Sequence, residues 1–174
     1  MAKKKIAKGT LNVSLNELSQ EIDLGSYLGR KPTKTEKIAF AELAQAEIES
    51  RTLDGMTING GKFKKYSKKY ADLKGVTRNS VDLFLEGDML DGIGRRSSKE
   101  KASTVYLQMK KGLQTKKGFN HTSGDTVPRR EFLGVTDKEA RALAEQARDT
   151  KEDKKTSRAD LLKAINLLDI EQVE

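Results

Sequence analysis

The side chains best suited to chemistry sit in one stretch, residues 118–134, which reads GFNHTSGDTVPRREFLG. It holds His121, the chain's only histidine, followed by Ser123 and Asp125. A histidine serves as general base, a serine as nucleophile and an aspartate as the acid that orients the base. Here the three fall within five residues, too local for the geometry of a triad. A zinc site is no better served: there is no cysteine and no second histidine, and no carboxylate spacing replaces them. His121 is therefore expected to bond the backbone of its own loop. Gly124-Asp125 reads as a turn, Pro128 as a stiff exit, and Arg129-Arg130 as a doublet able to pair carboxylates or phosphates.

Two other groups invite chemistry. Asp82, Glu86, Asp88 and Asp91 suggest paired carboxylates, but no base lies near them in the sequence, and Asp88 fits a helix cap. Residues 63–74, FKKYSKKYADLK, interleave Phe63, Tyr66 and Tyr70 with Lys64, Lys65, Lys68 and Lys69. That pattern suits contact with nucleic acid. It equally describes a helix that buries an aromatic face while lysine stems flank it. No catalytic residue, cofactor or metal is predicted.

The elements that must position these residues are modest. Of 174 residues, 35% are hydrophobic and 34% charged, so a small core with extensions is expected. The net charge of +8 favours polyanionic partners only weakly, because acids and bases are interspersed and aromatics are 5%. No apolar run reaches the length of a membrane span and no hydrophobic stretch follows the basic start, so a cytoplasmic protein, or one assembled there into something larger, is expected.

Residues 1–9 read as a basic arm. Leu11, Val13 and Leu15 alternate as a short strand, and Leu18, Ile22 and Leu24 read as a turn of helix. Thr33 and Glu36 have capping-box spacing ahead of a helix whose stripe is Phe40, Leu43, Ala44 and Ile48, ending near Leu53. A loop covers 54–62 and a helix 63–75. Residues 81–94 read as strand then short helix, 95–101 as a basic loop, and 102–110 as the clearest strand. Lys111-Gly112 reads as a hairpin turn into a returning strand, 113–119. Thr136 and Glu139 repeat the capping box before a small-residue helix face, Ala140, Leu143, Ala144 and Ala147. A charged linker, 149–157, precedes a last helix with Leu161, Ala164, Ile165 and Leu168, whose apolar face must fold back or dock on a neighbouring subunit. The fold class is α+β, a small antiparallel sheet flanked by helices. The divisions are an N-terminal arm with a short strand, 1–30; a core domain, 31–148; and a linker with C-terminal helix, 149–174.

The order of these motifs resembles a phage family, the virion morphogenesis or tail completion proteins of the Mu type and related neck proteins of long-tailed phages. The matching residues are His121, Gly124, Val127, Pro128, Arg129 or Arg130, Phe132, Leu133 and Gly134, preceded by Phe63, Tyr66, Ser67, Tyr70, Ala71 and Lys74 and by Leu85, Gly87, Met89, Leu90 and Ile93. The resemblance runs from about residue 33 to 146. It implies a non-enzymatic virion subunit at the neck or tail top, acting as tail completion protein, tail terminator or head–tail connector. It further implies a homo-oligomeric ring, sixfold in the family, around the DNA channel, with other neck or tail proteins as partners and no membrane. A basic nucleic-acid-binding protein using residues 63–74 is the alternative, and a hydrolase built on His121 a remote third.

Overall fold

A computed structural model describes residues 7–83, 93–97, 103–109, 112–148 and 150, with the backbone alone for 94–97. Four strands, β1 (Gly9–Val13), β2 (Leu18–Asp23), β3 (Ile93–Ser97) and β4 (Thr104–Met109), form one antiparallel sheet in the order β1-β2-β4-β3. The register pairs Gln20 with Leu107 and Ile22 with Val105, so these four share a face with Leu18 and Met109. All six are buried. The opposite face carries Ser19, Glu21, Tyr106 and Gln108. An apolar face alternating with a polar one is what a sheet covered on one side requires.

Among the described residues, five helices complete the layer: α1 (Leu24–Leu28), α2 (Lys34–Leu53), α3 (Lys68–Lys74), α4 (Leu113–Ser123) and α5 (Asp137–Arg148). Helix α2 starts with the anticipated capping box: Thr33 Oγ1 accepts from Glu36 N–H at 3.2 Å and Glu36 Oε2 accepts from Thr33 N–H at 2.7 Å. Thr136 and Glu139 repeat it at α5, at 3.3 and 2.7 Å. Phe40, Ala44 and Ile48 of α2 are fully buried, as are Ala140, Ala144 and Ala147 of α5. Each large apolar side chain so buried contributes roughly 1.5–3 kcal/mol. The small residues of α5 let it lie close to α2.

The α+β sheet with flanking helices is as expected, but several elements differ. Leu18 and Ile22 belong to a strand, not a helical turn, and that strand lies inside the sheet. Leu18, Ile22, Leu24 and Leu28 join the same core as the rest, so packing does not break at residue 30. Residues 113–119 form no returning strand; they open α4. Residues 93–97 pair as edge strand β3 rather than ending a helix and starting a loop. The helix expected from residue 63 begins at Lys68, capped by Ser67 Oγ accepting from Tyr70 N–H at 3.2 Å. Residues 63–67 are extended because Tyr66 N–H bonds Arg78 O, 3.0 Å, instead of a carbonyl one turn back. Glu86, Asp88, Leu85, Gly87, Met89, Leu90, the lysine doublet 110–111 and the C-terminal helix lie outside the described residues, as does the arm before Ala7.

Candidate functional site

The segment 127–134 runs from the surface into the core, with residues 128–129 exposed and 132–134 buried. Arg129 is exposed and ion-pairs with Glu131, whereas Arg130 is 2% exposed. Of the two arginines that the sequence offered for the motif, Arg129 is thus the outer one and Arg130 the buried one. Phe132 and Leu133 are buried in the core. Pro128 is exposed.

Three buried polar side chains hold this segment. Arg51 of α2 donates from Nη2 to the carbonyls of Phe132, 3.0 Å, and Gly134, 2.6 Å. Its Nη1 lies 3.2 Å from Glu139, the capping residue of α5. Gln20 of β2 acts as a surrogate strand: its amide donates to Val135 O at 3.0 Å and its carbonyl accepts from Val135 N–H at 2.8 Å. Ala7 N–H also donates to Val135 O, 3.2 Å. Gly134 has φ +114°, and a Cβ there would stand 3.0 Å from Ile58 Cδ1 and 3.1 Å from Gln20 Oε1. The positive φ favours glycine, and a Cβ would also press on the ends of those two side chains.

The third is Arg130. It donates from Nε to Lys64 O, 3.1 Å, and from Nη2 to Lys64 O, 2.9 Å, and Lys65 O, 3.3 Å. Its guanidinium carbon lies 5.3 Å from the ring centre of Tyr66, a cation–π distance. Tyr66 is itself a hub. Its hydroxyl donates to Asp82, 3.2 Å, and accepts from Leu83 N–H, 3.2 Å, while Lys74 ion-pairs with Asp82 beside it. Burial, ahead of its charged neighbours, raises the Tyr66 pKa.

His121 is not a loop residue. It occupies the last turn of α4, half-buried, before Gly124 caps the helix in the left-handed region at φ 81°. Its carbonyl accepts from Arg130 N–H at 2.6 Å, and its Nδ1 lies 3.4 Å from Arg130 Nη1. Burial first, then the Arg130 charge, push its pKa down to about 4. It is neutral at pH 7 and a poor proton acceptor there. Ser123 Oγ accepts from Asp125 N–H, 3.3 Å, so these two form a local turn and not a relay to the histidine. The structure unites His121 with Arg130, Tyr66 and Tyr70, a grouping that sequence spacing did not reveal. The one available signal was the doublet itself, which did not say which of its two arginines turns inward.

Lys64, Lys65, Lys68 and Lys69 are all exposed, while Phe63 and Tyr66 are buried at 6% and 4% exposure. The aromatics therefore pack and the lysines face solvent. Among the described residues no cluster of three or more His, Cys, Asp or Glu could hold a metal, and no helix is long and apolar enough to cross a membrane.

The arrangement defines an α+β protein whose motif segment is clamped between a sheet and helices. No family model matches the chain, and neither a curated protein nor a solved structure is found to be similar to it.

Proposed function

We propose that the chain is a structural phage virion protein of the neck or tail top, a tail completion, tail terminator or head–tail connector subunit that assembles as a ring around the DNA channel. One observation carries this reading. The segment on which the family resemblance rests is used mostly as framework: Phe132 and Leu133 fill the core, Gly134 takes a positive φ that favours glycine, and Arg51, Gln20 and Arg130 bind main-chain groups. A scaffold motif of this kind suits an assembly subunit.

Surface features agree with it. Strand β1 is a sheet edge, and Val13 and Leu15 at its end are 40% and 55% exposed. Leu113, at the start of α4, is 65% exposed. An open edge and exposed apolar residues are what a heterologous, closing interface covers. The virion is then the site of action, with assembly in the host cytoplasm, and neck or tail proteins are the partners.

Negative-stain imaging and sedimentation of the purified protein, alone and with tails, test the proposal. Discrete rings, sixfold by the family's precedent, that seat on tails are expected. A protein that stays monomeric at high concentration and fails to join tails or heads sinks it.

The exposed lysines support a second reading, contact with DNA phosphates. Because Phe63 and Tyr66 are buried, that contact is electrostatic and not base stacking. Replacing Lys64, Lys65, Lys68 and Lys69 by Gln is expected to flatten the salt dependence of DNA binding. An unchanged slope removes this reading.

A further inference from the structure

The residues around Arg130 bound a cavity of about 540 Å³, a size that admits several peptide side chains. Its walls are of two kinds. Leu83, Val127, Pro128 and Tyr70 supply apolar surface, whereas Arg130 and the exposed Lys65 and Arg78 supply positive charge. No carboxylate lines it among the described residues.

Among the described residues, Arg130 lacks a counter-charge. A guanidinium has five N–H donors. Nε and Nη2 make three contacts with the Lys64 and Lys65 carbonyls, and Nη1 makes one, at 3.4 Å, with His121 Nδ1. One N–H is left without an acceptor, and none of the acceptors is anionic. Burial lowers the pKa of Arg130, yet an arginine stays protonated in a protein. A buried cation paired only with neutral groups is unfavourable until an anion arrives. His121 adds to the same wall. With Nδ1 turned to the arginine donor, the neutral ring carries its hydrogen on Nε2 and is a donor as well.

The geometry points to a receptor for a carboxylate on an apolar peptide, and we propose that its occupant is residues 165–174 of a second copy of this chain. That segment, INLLDIEQVE, sets Asp169, Glu171 and Glu174 among Leu168, Ile170 and Val173 and contains no base. It is a locally acidic run in a chain of net charge +8, complementary to the Arg130, Lys65 and Arg78 wall. The described chain leaves the core after α5, whose Arg148 is tied to α1 through Leu28 O at 3.4 Å. Residues 151–157 extended and 158–164 in the expected helix together span up to roughly 34 Å, enough to carry the acidic segment to a neighbouring molecule. The inference rests on the reading that copies of the chain meet in a closed ring.

Lys65, at the cavity rim, provides the assay. Full-length light and ¹⁵N-labelled protein are mixed while dilute, concentrated, and treated with a carbodiimide that joins amines to carboxylates. Mass spectrometry is expected to find Lys65 joined to Asp169, Glu171 or Glu174, with about half of those pairs combining a light and a heavy chain. Thr126→Glu places a negative charge on the exposed rim and is expected to lower that yield at least tenfold with thermal unfolding unchanged. Coupling of Lys65 to Glu86 or Asp88 in place of the tail overturns the proposal, as do pairs of a single label only. So does a yield indifferent to Thr126→Glu, or displacement of the tail by a ten-nucleotide thymidine oligomer, which would make phosphate the ligand. Negative-stain images of the same sample separate the two ideas. Rings without the tail cross-link sink this inference alone, and mixed-label cross-links without rings sink the ring reading alone.

Discussion

Arg51 and Arg130 are buried to nearly the same extent, at 5% and 2% exposure, and both donate to main-chain carbonyls. They differ in charge balance. Arg51 faces Glu139, so its cation is neutralised within the chain, although its Nε–H has no acceptor among the described residues. Arg130 faces a neutral histidine and a tyrosine ring. The first arrangement is complete in one molecule and joins α2, the motif segment and α5. The second holds the motif to residues 64–65 but leaves a positive charge directed at a cavity. The contrast teaches that a buried arginine is a structural tie where its counter-ion is internal. Where the counter-ion is missing, the residue is open to a role between molecules.

Removing each arginine breaks or sharpens that contrast most directly. Arg51→Met strands Glu139 and two carbonyls and is expected to lower stability by about 3–5 kcal/mol. Arg130→Met leaves only neutral groups without donors and should cost about 1–3 kcal/mol. Urea unfolding of both variants decides it, and an equal or reversed order breaks the comparison.

Acid gives the next largest effect. His121 has its pKa at about 4 in the fold against an ordinary 6.5, first through burial and then through the uncompensated Arg130. The unfolded chain takes up its proton below pH 6.5 and the folded chain does not. Stability is therefore whole above that value and falls as the pH drops towards 4, by on the order of 3 kcal/mol. Glu36, held down to about 2 chiefly by Arg30, loses its contribution only below its ordinary 4.5, so the two windows separate. Chemical unfolding at a series of pH values should show the upper slope in the parent protein and its disappearance in His121→Gln.

Smaller effects probe the tie around Arg51. Thr136→Ala removes one hydrogen bond of the α5 capping box and should cost about 1 kcal/mol, read as a lower unfolding midpoint. Least affected is the exposed strip: replacing Lys64, Lys65, Lys68 and Lys69 by Gln should change stability by under about 0.5 kcal/mol each. A large loss there would mean that the lysines carry the fold.

Much of the framework was legible because it follows local rules. Two threonines placed three residues before glutamates marked the starts of α2 and α5, and Val105, Leu107 and Met109 marked β4. What was missed depended on distant partners. In β2 the core position between Leu18 and Ile22 is Gln20, a polar residue tolerated because Val135 lies opposite. Helix α4 includes Gly118, a poor helix former, because a Cβ there would come within 2.8 Å of Leu18 Cδ2. Strand β3 reads as a basic loop because Arg95 and Arg96 interrupt its pattern, and its identity comes from pairing with β4. Of the candidate site, the motif residues could be named from the sequence. That Arg130 rather than Arg129 turns inward, towards His121, required the path of the chain.

The pairing of Gln20 with Val135 also has a consequence in time. The two residues are 115 positions apart. At roughly 5–20 residues per second, a ribosome needs about 6–23 s to make the interval. Throughout it, Gln20 has no surrogate strand partner, and until residues 104–109 emerge its strand β2 has only β1 beside it. Contacts of such long range slow folding and expose sheet edges to other chains. The nascent protein is thus most open to mispairing before its motif segment emerges, and the arrival of residues 127–148, the motif segment followed by α5, closes the core.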